Sequence, residues 1–203
     1  LLNYLALLGW SPGNDVEILS PKEISDLFEV KGLSTSPSIF DPEKLTWVNG
    51  VHIREMDEEK LSVIVKEKVN LNTNTAENVS ESDFIKITSL IRERIKSLDE
   101  IYPLIKFFFE YEEPEIKLIK CSELNNEDVK KLLKDIINDF KELDSKNNNN
   151  SSDIEDLLRK NSKELNLKVR DYLSLIRNCI TGSEISPPLF EAIEILGIRE
   201  SIS

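Results

Sequence analysis

The chain has 203 residues, of which 39% are hydrophobic and 32% charged. This length is enough for one large domain or two to three small ones. The hydrophobic fraction is large enough to form a core, which argues against a chain that is disordered throughout. The formal net charge of −12 argues against a protein that coats nucleic acid by bulk attraction. Local basic faces can still bind, since charges more than about 10 Å apart are largely screened. No apolar run approaches the ~18 residues of a membrane span.

The start of the sequence lacks the basic and apolar regions of a secretory signal, and it lies within an apolar pattern. We therefore expect a piece of a longer protein. Cys121 and Cys179 stand far apart without metal-site spacing. They are best interpreted as separate thiols in a reducing compartment, with a disulfide or metal pair as the alternative. The single histidine, His52, is too little for a histidine-based metal site, and a core-edge role is favoured over catalysis.

The glycine distribution predicts a mainly α fold. Four of the six glycines occur at or before Gly50, and none follows until Gly182. The intervening sequence is rich in Leu, Ile, Lys and Glu and shows no alternation of strands and helices. We divide the chain into three helical segments, residues 1–55, 56–110 and 111–203.

The first segment carries clear helix boundaries. LLNYLALLGW is an apolar helix that ends at Gly9. In SPKEISDLF, Ser20 is placed as N-cap, with a proline next and Glu23 completing a capping box. The stretch DPEKLTWVNGVHIRE begins a further helix with Asp41 as N-cap.

The later segments have the pattern of amphipathic helices. VSESDFIKITSLIRERIKSL is predicted as one helix, preceded by a polar loop at 71–78. Its apolar stripe consists of Phe84, Ile87, Ile91, Ile95 and Leu98. Pro103 is predicted to begin a helix, and the run 107–109 to lie in the core, with a base-stacking platform as the alternative. The asparagine run 147–150 is predicted as an exposed loop that ends in an N-cap at Ser152.

No catalytic signature is present. The sequence contains no GxGxxG, P-loop, HExxH or GxSxG motif. No nucleophile stands beside a base, and the abundant carboxylates are typical of solvated helix faces. The residues themselves therefore indicate a non-catalytic chain without a metal site.

Two short windows are basic against the overall charge. Residues 159–177 contain six basic and two acidic side chains, and residues 86–96 contain four basic and one acidic. Both windows are predicted to lie on helices. Arg177 falls at the border of an apolar stripe, where its stem can cover apolar surface while its planar fork points outward. These windows indicate a site for base edges or phosphates, or else ordinary solvated arginines.

Two stretches carry a family resemblance. LLNYLALLGWSPG followed by SPSIFDPEKLTWVNGVHIR, and the tail LIRNCITGSEISPPLFEAIEILG, resemble the part of bacterial glutamyl-tRNA synthetases after the second catalytic signature loop. That family consists of class I ligases that join glutamate to tRNA with ATP and Mg²⁺ in an N-terminal Rossmann domain. The signature motifs of that domain are absent here. The resemblance implies a stem-contact domain at 1–55, followed by an all-α anticodon-binding region with subdomains 56–110 and 111–203.

The resemblance also implies site residues. Arg94 falls where the family places an arginine facing the first anticodon base, and this position is tied to the choice between tRNA(Glu) and tRNA(Gln). The second and third bases are contacted from positions corresponding to Arg177, Ser186, Pro187 and Leu189. Arg159 falls on a further tRNA-facing arginine. One departure is Pro188, where a glycine often stands. A second is the LST before SPSIF, where a common SKS would add a lysine.

We therefore interpret the chain as the tRNA-binding part of a glutamate–tRNA ligase, inactive alone, monomeric, cytoplasmic and not membrane-bound. Its expected partner is tRNA(Glu), with tRNA(Gln) as a second candidate. Glutamate, ATP and Mg²⁺ are expected only for the full-length enzyme. The alternative is a helical protein–protein adaptor without a nucleic-acid role.

Overall fold

The computed structural model describes residues 1–13, 15–73, 79–122 and 124–202. Within these residues the chain forms eleven α-helices, and the only β pairing is an isolated bridge between Trp10 and Leu33. This agrees with the predicted mainly α fold. The helices are α1 Leu2–Gly9, α2 Pro21–Leu27, α3 Pro42–Glu55, α4 Glu58–Asn70, α5 Glu81–Arg92, α6 Ile101–Ile105, α7 Asn126–Ser145, α8 Ser151–Glu164, α9 Val169–Thr181, α10 Leu189–Leu196 and α11 Ile198–Ser201.

The predicted helix starts in the first segment are confirmed. The Ser20 side chain accepts from the Glu23 N–H, and the Glu23 carboxylate accepts from the Ser20 N–H, which completes the capping box. At α3, the Asp41 carboxylate accepts from the N–H groups of Glu43 and Lys44. These side chains satisfy backbone donors that a helix start leaves without partners.

A buried asparagine joins the loop before α2 to α1 and α3. The Asn3 amide donates to the Glu17 carbonyl at 3.1 Å and accepts from the Leu19 N–H at 3.1 Å. The same oxygen lies 2.9 Å from His52 Nε2. Because this oxygen can only accept, His52 must carry a proton on Nε2. His52 is therefore a structural residue at the edge of the core, as predicted.

Gly32 allows a close backbone approach beside Trp10. A Cβ atom added at Gly32 would lie 2.5 Å from the Ser11 carbonyl oxygen and 2.7 Å from Trp10 Nε1. Trp10 is buried, and its ring lies 5.7 Å from that of Phe28. The absence of a side chain at Gly32 therefore permits this packing.

Two apolar clusters form the rest of the core. The first comprises buried residues from α3 to α6, and the second comprises buried residues from Cys121 to Ile198. Phe108 and Phe109 pack against the first cluster, and the Phe109 ring stacks on Phe84 at 5.8 Å, which supports their predicted core role. Ile53 also belongs to the first cluster, so α3 contributes to it. The segment boundaries after residues 55 and 110 stay predictions.

Arg92 ties the end of α5 to the end of α3. Its Nε donates to the Arg54 carbonyl at 2.8 Å, and its Nη2 donates to the carbonyls of Arg54 and Met56. One planar guanidinium thus satisfies two carbonyls where α3 ends and α4 begins. This geometry suits arginine better than lysine, whose ammonium is a single point charge.

Three predicted helix boundaries were wrong. Helix α5 ends at Arg92, so Arg94, Ile95 and Lys96 lie beyond the helix, although Ile95 is still buried. Helix α8 is capped by Asn150, whose side chain accepts from the Asp153 N–H, and Ser152 lies inside the helix. Pro103 is the third residue of α6, in the first turn where its missing N–H has no intrahelical partner to lose. The predicted loop at 71–78 lies mostly outside the described residues.

Candidate nucleic-acid interface

The turn between α9 and α10, residues 181–189, has a fixed geometry, and we call it the corner. Helix α9 ends at Gly182, whose φ of 65° lies in the left-handed region and whose N–H donates to the Asn178 carbonyl. The Thr181 hydroxyl donates to the Arg177 carbonyl at 2.9 Å and accepts from the Ser183 N–H at 3.3 Å. Glycine adopts this conformation without the steric cost that a Cβ imposes. The corner therefore follows from local sequence.

The second half of the corner is buried. Ser186 is 4% exposed and Leu189 is 3% exposed, and Pro187 is also buried. Pro188 precedes the first residue of α10 and serves as its N-cap position. The three predicted contact residues thus hold the corner in place, and their side chains present little surface in the unbound chain.

Arg94 connects the turn after α5 to this corner. Its Nη1 donates to the Ser186 carbonyl at 3.2 Å, across 92 residues of sequence. Arg94 lies in the turn after α5, and α5 packs against α10. The structure therefore brings together Arg94 and Ser186, which the resemblance assigned to different bases.

Arg177 lies next to Arg94 without an acidic partner. Burial lowers the pKa of the Arg177 guanidinium, and the positive charge of Arg94 lowers this pKa further. Its Nε is buried and has no hydrogen-bond partner. Among the described residues, no ion pair involves either arginine. Two neighbouring guanidinium groups thus keep donors available for an acceptor-rich ligand.

Arg159 is placed differently. Its Nε pairs with the Glu155 carboxylate at 2.6 Å along α8, and its guanidinium lies over the Phe190 ring at 5.8 Å. Among the contacts of the described residues, none joins Arg159 directly to Arg94 or Arg177. It is connected to the corner through Phe190, which follows Leu189. Sequence reasoning missed Phe190, although its place in SPPLF next to the predicted contacts was a usable signal.

Within the part of the chain that is described, the thiols and carboxylates form neither a disulfide nor a metal-binding cluster. Both cysteines are free. Burial raises the pKa of the Cys179 thiol to about 11, which suppresses the reactive thiolate. The described residues contain no group of three or more metal-binding side chains. None of their helices is both long and apolar enough to cross a membrane.

Comparison with known proteins identifies the family. Residues 56–203 match the family described as "Anticodon binding domain". The whole chain is 32% identical to glutamate–tRNA ligase 2 of Caldicellulosiruptor saccharolyticus and covers 41% of it. It is 34% identical to glutamate–tRNA ligase 2 of Thermosipho melanesiensis and covers 43% of that protein.

A solved structure agrees in fold as well. The crystal structure of a glutamate tRNA ligase from Elizabethkingia meningosepticum, in complex with its amino acid, superposes with a TM-score of 0.80 at 25% identity. The match covers 99% of this chain and 38% of that one. The chain therefore spans about two fifths of the length of the ligases it resembles. It belongs to the anticodon-binding-domain family, as the anticodon-binding part of a glutamate–tRNA ligase.

Proposed function

We propose that this chain recognises the anticodon of tRNA(Glu), so that the remainder of a glutamate–tRNA ligase can attach glutamate to the tRNA. The observation that carries the proposal is the Arg94–Ser186–Arg177 arrangement. Arg94 from the turn after α5 and Arg177 from α9 meet at one corner. Arg94 donates to the Ser186 carbonyl, while the buried Arg177 Nε has no partner. The matched family supplies the class of partner.

The arginines are proposed to make the base contacts. Anticodon bases can leave the stack, and a protein then reads their exposed edges by hydrogen bonds and stacking. A guanidinium with free N–H groups suits oxygen and nitrogen acceptors on a base edge. Arg177 gains most from such an acceptor, because its buried Nε has no partner in the unbound chain.

The buried corner residues are proposed to act by shape. Ser186, Pro187 and Leu189 expose little side chain, so their contribution to base recognition would come from backbone groups and from the placement of Arg94. Arg159 is proposed to contact tRNA from the Phe190 side. Its exposed pair with Glu155 would be weak enough to open, since surface ion pairs contribute about 0–1 kcal/mol.

The rest of the ligase reaction is assigned to the part of the protein that this chain does not span. The sequence has no nucleotide-binding signature, and the described residues hold no cluster suited to Mg²⁺. ATP, Mg²⁺ and glutamate are therefore proposed to bind elsewhere in a full-length ligase. We further propose a cytoplasmic monomer, whose oligomeric state light scattering after size-exclusion chromatography would test.

Fluorescence anisotropy with a labelled anticodon stem-loop tests the proposed function. Arg177→Met should weaken binding about 5- to 150-fold, which corresponds to the 1–3 kcal/mol expected for a good arginine–base contact. Arg199→Met removes the same charge outside both basic windows and serves as the control. Equal affinities of the two variants would refute the assignment of Arg177.

The same assay separates the remaining alternatives. Stem-loops of tRNA(Glu) and tRNA(Gln), each tested with wild type and with Arg94→Gln, show whether Arg94 sets the choice between them. Affinity for RNA should fall steeply with salt, because phosphate contacts release counterions. If the chain were instead a protein–protein adaptor, it should not bind RNA at any salt concentration. The family match disfavours this alternative.

A further inference from the structure

A groove separates α3 from the turn that follows α5. It encloses about 420 Å³, a volume within the range of pockets that hold small ligands. We call it the joint groove, because its two sides belong to the predicted stem-contact and anticodon-binding parts. Its lining residues are Pro42, Glu43, Thr46, Trp47, Arg54 and Lys96.

Hydrogen bonds between α3 and the end of α5 hold the two sides of the joint groove at a fixed distance. The Asn49 side chain on α3 donates to the Lys96 carbonyl at 2.7 Å. Arg92 donates to the Arg54 carbonyl at 2.8 Å from the opposite direction. A Cβ atom at Gly50 would lie 3.3 Å from both Arg54 Nη1 and Lys96 Cγ, so a glycine here permits the close approach. The groove is therefore preformed, which lowers the entropy lost on binding.

The lining offers an aromatic face beside two cations. Trp47 remains 44% exposed, although tryptophan is usually well buried. No ion pair of Lys96 occurs among the described residues. Arg54 Nε lies 3.9 Å from the Glu93 carboxylate, which is the length of a weak ion pair. Both cations therefore keep most of their capacity for an anionic ligand.

The lining also contains groups that suit a sugar. Glu43 and Thr46 stand one helical turn apart on α3 and line the groove beside Trp47. A carboxylate and a hydroxyl can accept hydrogen bonds from ribose hydroxyls, and the 2′-hydroxyl distinguishes RNA from DNA. Glu43 and Glu93 offset part of the positive charge, so the groove does not favour a free multivalent anion.

We propose that the joint groove binds one ribose–phosphate unit of the tRNA backbone, with the ribose against Trp47 and the phosphate between Arg54 and Lys96. This inference rests on the proposed tRNA-binding function. It adds a contact surface that continues from Arg94, two residues before Lys96. The groove thus links the corner read by Arg94 to the predicted stem-contact part.

Acrylamide quenching of tryptophan fluorescence tests the placement of the ribose. Trp10 is 4% exposed, so Trp47 dominates the quenchable signal of the unmodified chain. Saturation with a full-length tRNA(Glu) transcript should reduce the quenching constant at least twofold. An unchanged quenching constant at saturation would overturn the inference.

Two substitutions test the chemistry. Trp47→Leu should weaken tRNA binding about fivefold, which corresponds to about 1 kcal/mol, or to roughly 40 Å² of apolar aromatic surface that no longer covers the ribose. Lys96→Met should reduce the slope of log affinity against log salt by about one, as expected for one lost phosphate contact. Lys130→Met, an exposed lysine on α7, is the control and should leave the salt slope unchanged. Equal slopes for the two lysine variants would overturn the phosphate assignment.

The outcomes separate this inference from the proposed function. If wild type binds tRNA in an Arg177-dependent way while Trp47 stays accessible to acrylamide, only the joint groove is wrongly assigned. If wild type does not bind tRNA at all, the proposed function and the joint groove fail together.

Discussion

Arg92 provides a sharp test of how the two parts of the chain are joined. Arg92→Met keeps an unbranched apolar stem and removes the guanidinium that bonds the carbonyls of Arg54 and Met56. Hydrogen bonds to a charged group contribute about 1.5–3 kcal/mol each, and a carbonyl left without a donor adds to the loss. Both carbonyls are partly shielded and share one donor group, so we expect a total loss of about 2–4 kcal/mol of unfolding free energy.

Urea unfolding followed by circular dichroism measures this loss, provided that the slope with urea is unchanged. Arg170→Met removes an exposed arginine on α9 and should change the unfolding free energy by no more than about 0.5 kcal/mol. Arg92→Lys should fall between wild type and Arg92→Met, since one ammonium cannot reproduce the planar fork. If Arg92→Met lost no more stability than Arg170→Met, Arg92 would not be the tie between α3 and α5.

Four further predictions concern stability and reactivity. Gly32→Ala should destabilise the chain by about 1–3 kcal/mol in urea unfolding because its Cβ overlaps neighbouring atoms, whereas Gly9→Ala, with open space around it, should not be destabilising. Gly182→Ala should lower the unfolding free energy by about 1 kcal/mol through its positive φ, and Gly182→Asn should lower it less. Arg177→Met should leave stability unchanged or raise it by up to about 1 kcal/mol in the same assay, because it removes a partly buried charge opposed by a like charge; a large loss would indicate a structural role. Cys179 should react slowly with a thiol reagent at pH 8 in the native chain and rapidly in urea, since its folded pKa is about 11; equal rates would contradict its burial. Because that pKa is raised above the ordinary thiol value of 9.0, its contribution to stability should be lost as pH rises above about 9.

Local chemistry allowed much of the helical framework to be predicted from sequence. The capping box at Ser20, the cap at Asp41 and the end of α1 at Gly9 were each placed correctly. In each case the deciding atoms lie within four residues of one another, so spacing alone is informative. The errors arose where several candidates of similar chemistry adjoin, as at Asn150 and Ser152. They also arose where an apolar stripe continues past the end of a helix, as at Ile95.

The resemblance of two stretches of sequence was enough to identify the family, and comparison with known proteins confirmed it. The individual contact residues stay proposals. Sequence position suggested that Arg94 and Arg177 serve one ligand, but it could not show that they are neighbours and that neither forms an ion pair within the described residues. Nor could it show that Arg159 forms an ion pair with Glu155 and a cation–π contact with Phe190.

The sequence by itself determined the helical class, the helix starts capped by Ser20 and Asp41, and the turn at Gly182, because these depend on periodicity and on hydrogen bonds between near neighbours. Only the tertiary structure decided which side chains from distant parts of the sequence become neighbours. The packing of α5 against α10 brings Arg94 to the Ser186 carbonyl across 92 residues. The same kind of long-range packing buries the Arg177 Nε without a partner and sets Trp47 beside Lys96. Such juxtapositions depend on how whole helices pack, which no local spacing encodes.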